Sequence, residues 1–193
     1  MPDDTNSMKT AHGPWRIERH VPKYANEFIE LVEDHVTRPD GRPGTYATVT
    51  LKSGVAALAV DADQRVYLAR QFRYAAGRET TEVPSGGLEP GEEPLVAAQR
   101  ELREELGIEA AAWTSLGRLE LEGSIVRCSV DLFLARTLTR TRKDQDGTEE
   151  VRTLKVSLAA AVDMVMDGQI DHAPSCVVIL KAGRELGLVS LRG

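Results

Sequence analysis

The chain has 193 residues, 41% of them hydrophobic and 28% charged, with a formal net charge of −6. That length suits one domain with room for a small appended subdomain, and the balance of apolar and charged residues excludes global disorder. The acidic balance argues against a nucleic-acid binder that works by neutralising phosphates, and no run approaches the ~20 apolar residues of a membrane span. Cys128 and Cys176 are the only cysteines and form no Cys/His cluster, which excludes a disulfide framework and a structural zinc site. Met1-Pro2-Asp3-Asp4 has neither the basic start nor the apolar segment of a secretory signal, so the expected compartment is the cytoplasm.

In chain order, residues 1–14 read as a flexible tail. Trp15–Val21, Phe28–Thr37 and Thr45–Leu51 read as three antiparallel strands, the last two separated by the turn-rich Arg38-Pro39-Asp40-Gly41-Arg42-Pro43-Gly44. This N-terminal β subdomain, 15–52, is too small to hold a core alone. A second domain, 53–193, opens with a hairpin, Gly54–Val60 and Val66–Phe72. Pro94–Leu106 has helical periodicity, with Pro94 suited to the first helical position and Gly107 to the position past the end. Strands follow at Trp113–Leu119, Ile125–Ala135 and Val151–Val156, then helices at Leu158–Met166 and Ser175–Leu186. Mixed strands with separated helices predict an α/β fold, an α/β/α sandwich or α+β arrangement.

The informative segment runs from Gly86 to Ile108. On a helix, Glu101 lies three residues from Glu104 and four from Glu105, so the three carboxylates share a face, with Leu95, Ala98 and Leu102 as an apolar stripe elsewhere. Arg100 is placed to pair with Glu104. Like charges at these spacings cost a few tenths of a kcal/mol per pair unless a cation binds there. Oxygen-only donors without nearby His or Cys select a hard divalent ion, Mg²⁺ with Mn²⁺ as substitute, and point to phosphoryl chemistry. A solvated acidic face is the plain alternative for Glu104 and Glu105 alone. The whole pattern Gly-x5-Glu-x7-Arg-Glu-aliphatic-x-Glu-Glu-x-Gly-aliphatic is met at every position, and chance would produce that on the order of 10⁻⁷ of the time.

With this box the chain resembles the Nudix hydrolases. The resemblance implies a Nudix α/β/α sandwich with a mixed sheet plus the small N-terminal antiparallel β-meander. It also implies Mg²⁺-dependent hydrolysis of a nucleoside diphosphate linked to a further moiety. It marks Glu101, Glu105 and the backbone carbonyl of Ser85 as metal ligands. Glu104 and Arg100 become catalytic members of the box, and Glu92 either structural or orienting. Arg70-Gln71-Phe72-Arg73 and Glu82-Val83-Pro84-Ser85-Gly86-Gly87 look like the ADP-ribose pyrophosphatase and nucleotide-sugar branch, in which Arg73 and Glu82 would face substrate. Gly147-Thr148-Glu149-Glu150-Val151 resembles a loop that supplies a further glutamate, with Glu149 the favoured one. The stretch Leu119–Arg127 contains no proline where ADP-ribose enzymes typically carry one, which keeps a GDP-mannose-type substrate open beside ADP-ribose. A non-catalytic Nudix-like sensor of a nucleotide sugar is the other alternative. The branch further implies a homodimer built through residues 15–52, with no nucleic-acid or membrane partner. Trp15, Tyr24, Phe28, Tyr46 and Trp113 are the aromatics available to stack on a base. The four histidines show no metal-like spacing.

Overall fold

The structure, a computed structural model, describes residues 10–142 and 151–188. They belong to two compact units, Met1–Lys52 with Glu120–Cys128, and Ser53–Leu119 with Ser129–Gly193. In chain order the strands are β1 (Thr10–His12), β2 (Trp15–Ala25), β3 (Ile29–Thr37), β4 (Pro43–Leu51), β5 (Gly54–Val60), β6 (Arg65–Arg73), β7 (Arg78–Glu82) and β8 (Ser85–Gly87). Helix α1 (Pro94–Leu106) precedes β9 (Ile108–Glu120), β10 (Val126–Arg127), β11 (Ser129–Arg140) and β12 (Arg152–Ser157). Helices α2 (Leu158–Met166) and α3 (Ala173–Glu185) end the chain's regular structure among the described residues.

The first unit is a five-stranded sheet in the order β1-β2-β3-β4-β10. Its turns have local causes. The Asn26 side-chain oxygen accepts from the N–H groups of Phe28 and Ile29 at 2.8 Å each, and Gly41 takes φ +82 between β3 and β4. On β3 the buried positions are Val32, Asp34 and Val36, a period of two; the buried Asp34 carboxylate meets His20 Nδ1 at 2.6 Å. Thr10–His12, expected in the tail, instead pairs with Trp15–Ile17 as a tight hairpin over Gly13. The expected strand Ile125–Ala135 is divided. Val126–Arg127 pairs in parallel with β4, whereas Ser129–Arg140 is the long β11 of the second unit.

The second unit holds a seven-stranded mixed sheet with backbone order β12-β6-β5-β11-β9. Strand β5 is buried along its whole length and runs parallel to β11, from Gly54 opposite Val130 to Ala59 opposite Ala135. Its side chains alternate between two cores. Ala56, Leu58 and Val60 join Leu68, Leu132, Leu158, Val178 and Ile179 under α2 and α3. Val55, Ala57 and Ala59 join Ala97, Ala98, Leu102, Leu106 and Phe133 under α1. The small side chains on both sides of that second contact let α1 approach the sheet closely. Helices on both faces of a mixed sheet make the expected α/β/α sandwich.

The detail that positions the site is a fork. β5 and β6 pair only at Ala59–Tyr67 and Val60–Val66. Beyond that they separate, and the chain from Arg78 to Gly87 enters the gap. β7 pairs with the outer half of β6, Glu82 opposite Ala69, and β8 with the start of β5, Ser85 opposite Ala56. Ala57 N–H donates to Pro84 O at 2.9 Å and closes the seam.

Candidate active site

Helix α1 starts and stops where its residues dictate. Pro94 occupies the first turn, where its missing N–H has no intrahelical acceptor to lose, and Gly107 ends the helix in the left-handed region, its N–H reaching the carbonyls of Arg103 and Leu102. The buried face comprises Ala97, Ala98, Leu102, Glu105 and Leu106, while Leu95, expected in the apolar stripe, is exposed. Glu105 therefore points with the core residues rather than away from them. Its Oε1 accepts from the Ser85 N–H at 3.3 Å, which brings two of the expected ligand residues together across the fork.

Arg100 organises the rest. Its Nε and Nη2 donate to the two oxygens of Glu92 at 3.0 Å each, Nη1 to Glu101 at 2.7 Å and Glu104 at 3.2 Å, and Nη2 also to Gly87 O at 3.1 Å. All five guanidinium N–H groups have acceptors by this arrangement. A lysine offers three donors from one point and could not span them. Glu92 also accepts from the Glu89 N–H at 3.0 Å, so it ties the loop before α1 to the helix. The expected Arg100–Glu104 pair forms, within a wider network.

Glu101 lies over Gly86, where an added methyl would overlap its carboxylate, and a methyl on Gly54 would stand 2.6 Å from Gly86 O. The two glycines mark a close backbone approach. Burial pushes the Glu101 carboxyl above its ordinary range; Arg100 opposes this, and the Glu104 and Glu92 charges add to it. Among the described residues no three His, Cys, Asp or Glu side chains already converge as a metal cage. The donors nonetheless fit a hard cation. They are all oxygen, one of them is costly to ionise in its present surroundings, and Mg²⁺ needs few protein ligands because it keeps several waters.

Arg73 and Glu82, at the far ends of β6 and β7, form a two-point pair, Nε to Oε1 at 3.1 Å and Nη2 to Oε2 at 2.6 Å. The Glu82 side chain is 3% exposed and that of Arg73 36%. Burial alone would raise the Glu82 carboxyl, but bonds from Arg73 and Thr80, with the His172 and Arg73 charges, hold it below the ordinary carboxylate range. Around this pair stand residues that sequence reasoning missed. Thr80 Oγ1 donates to Glu82 Oε1 at 2.7 Å, His172 Nδ1 lies 3.5 Å from Oε2, and Ser175 Oγ accepts from the Val83 N–H at 2.9 Å. The signal for the last two was the His-Ala-Pro-Ser run, in which a helix starting at Ala173 places positions 172 and 175 together; the expected start at Ser175 hid it. Glu149 and Glu150 lie outside the described residues. Of the aromatics, Trp113 packs edge-on against Phe133 in the core, Trp15 packs edge-on against Tyr46, and Tyr24 and Phe28 are exposed.

Residues 50–174 match the NUDIX domain. The chain is 30% identical over 158 residues to the ADP-ribose pyrophosphatase of Bacillus subtilis, covering 81% of this chain and 85% of that one. It is 32% identical over 160 residues to the ADP-ribose pyrophosphatase of Mycobacterium tuberculosis, covering 81% and 77%. The fold resembles the crystal structure of an ADP compounds hydrolase at a TM-score of 0.78 and 20% identity, over 90% of this chain and 96% of that chain. The domain match takes in the whole box from Gly86 to Ile108, together with Arg73 and Glu82. A matched stretch of that extent, with the box residues joined through Arg100 on a sandwich of this kind, establishes that the chain belongs to the NUDIX family.

Proposed function

We propose that this protein hydrolyses the pyrophosphate bond of a nucleoside diphosphate sugar, ADP-ribose or a close relative, to a nucleoside monophosphate and a sugar phosphate. The observation that carries the reading is the carboxylate cluster of α1, with Glu101 and Glu104 held by Arg100 and the buried Glu105 set against the Ser85 backbone. Two relatives that bear the name ADP-ribose pyrophosphatase support the substrate. Glu101, Glu105 and the Ser85 carbonyl would hold Mg²⁺, or Mn²⁺ in its place. The bound ion would supply Lewis-acid neutralisation of phosphate charge and a more acidic water. Glu104, with Oε2 fixed by Arg100, or a glutamate of the following loop, Glu149 before Glu150, would take the proton of the attacking water. Arg73, paired with Glu82, contributes the positive charge that receives a substrate phosphate. No covalent intermediate is required.

The test is a panel of ADP-ribose, GDP-mannose, ADP-glucose, UDP-glucose and dinucleoside polyphosphates with Mg²⁺, read as phosphate released after phosphatase coupling. ADP-ribose is expected to lead. GDP-mannose leading would follow from the proline-free 119–127 stretch and would move the substrate without moving the site. Tight binding of a nucleotide sugar with no turnover on any member would show a sensor and overturn the hydrolase.

Arg73→Ala is expected to raise KM for the nucleotide sugar more than it lowers kcat, with metal dependence unchanged. It also strips two bonds from a buried carboxylate, so the melting temperature should fall by the equivalent of about 1–3 kcal/mol. Steady-state kinetics beside a thermal melt separates the two effects; a lower Tm with KM unmoved would make Arg73 purely structural.

The homodimer belongs to the same proposal. Exposed Tyr24, Phe28 and Ile125 on the first unit support it. Sedimentation at micromolar concentration should report twice the chain mass, and specific activity should fall on dilution below the dissociation range. A fully active monomer would refute it. Among the described residues no helix is long and apolar enough to cross a membrane, and Cys128 and Cys176 are free thiols, which suits a reducing cytoplasm.

A further inference from the structure

We propose that His172 and Ser175, at the start of α3, are positioning residues that hold Glu82, and through it Arg73, in the geometry that receives substrate. The inference rests on the assignment of Arg73 and Glu82 to the substrate-binding side of the site.

Glu82 is held from three elements. β6 supplies Arg73 to both carboxylate oxygens, and β7 supplies Thr80 to Oε1. The third is α3, from ninety residues further along the chain. His172 is the residue before its first turn, and its side chain makes no capping bond to the helix backbone. The ring instead sets Nδ1 2.8 Å from Ser175 Oγ and 3.5 Å from Glu82 Oε2. Ser175 is fully buried, and its Oγ accepts from the N–H of Val83, the residue after Glu82. One hydroxyl and one imidazole thus fasten both the side chain of position 82 and the backbone that follows it.

Glu82, bonded twice by a guanidinium, is an acceptor only. The positioning role requires the tautomer with the hydrogen on Nδ1, which donates to Ser175 Oγ at 2.8 Å with Glu82 Oε2 beside it at 3.5 Å. Without the ring, Glu82 keeps Arg73 and Thr80 but loses its tie to α3, and the pair is free to turn as a unit. Arg73 would then meet the substrate in a less defined position. This costs binding rather than turnover, because the box residues on α1 make none of these contacts.

The experiment compares wild type, His172→Ala, His172→Asn and Arg73→Ala on ADP-ribose with Mg²⁺. The Asn side chain places an N–H donor near the Nδ1 position, so it should restore what alanine loses. His172→Ala should raise KM about 3–10-fold, the worth of one net hydrogen bond, with kcat within about twofold. His172→Asn should lie within about twofold of wild type in both. A long-range ¹H–¹⁵N spectrum of the full-length protein should show His172 protonated at Nδ1. Arg73→Ala separates the two claims: if it raises KM and His172→Ala does not, the positioning role is wrong. If Arg73→Ala leaves KM unchanged, the substrate assignment beneath it is wrong. Asn no better than Ala, or a ring protonated at Nε2 alone, overturns the proposal even if the alanine variant fails to fold.

Discussion

Replacing Glu105 by glutamine is expected to lower kcat at least ~10²-fold while leaving the fold intact. The substitution keeps shape, and the amide oxygen can still accept the Ser85 N–H that Oε1 now receives at 3.3 Å. What disappears is a negative charge on a side chain that is 7% exposed. A neutral amide is cheaper to bury than a carboxylate, so thermal stability without metal should hold or rise. The loss would fall on cation binding, and the Mg²⁺ concentration for half-maximal rate should increase. Initial rates across a Mg²⁺ titration, with a melting curve of the same sample, check both parts. Wild-type turnover with an unchanged Mg²⁺ requirement would remove Glu105 from the metal site.

Gly86→Ala should be as damaging for a different reason. The new methyl overlaps the Glu101 carboxylate. The backbone cannot retreat, because Gly86 sits opposite Val55 on β5 and its carbonyl already stands within contact range of Gly54. Glu101 must move, breaking its 2.7 Å bond to Arg100, or β8 must leave the fork. Overpacking of this kind costs about 1–3 kcal/mol, which for a domain of this size lowers Tm by roughly 2–12 °C. Activity should fall by ~10²-fold or more, since the carboxylate is displaced along with its backbone. Gly91→Ala is the control. That glycine has a positive φ, +78, where Gly86 does not, and open space around it, so only backbone strain is added and activity should survive. Equal activity in the two variants would mean that the contact over Glu101 does not matter.

The helix carrying these carboxylates was legible in the sequence to the residue, from Pro94 to Leu106. Proline and glycine impose their backbone preferences whatever surrounds them. The Arg100–Glu104 pair was legible for the same reason, being a contact within one helix. β7 and β8 were not. Arg78-Glu79-Thr80-Thr81-Glu82 has no apolar alternation, and Ser85-Gly86-Gly87 has almost no side chains. Both segments are strands only because β5 and β6 part and leave backbone groups unpaired. The surroundings of Glu82 were hidden in the same way. His172 and Ser175 act on a residue far upstream, and no local spacing reports that. Trp113 was equally ambiguous as an isolated aromatic; packing against Phe133 makes it a core residue.

The parallel pairing of β5 with β11 bears on how the protein reaches this state. Gly54–Val60 is an uninterrupted apolar strand whose long-range partner lies in Val130–Ala135. A ribosome would release the first well before the second is made, leaving a sticky strand with an open edge during synthesis. The loop that must close is long, so closure is slow relative to local helix and hairpin formation. β8 docks on the same strand, where it brings Ser85 to Glu105 and Gly86 under Glu101. Slowing β11 should therefore yield aggregated chains rather than folded, inactive ones.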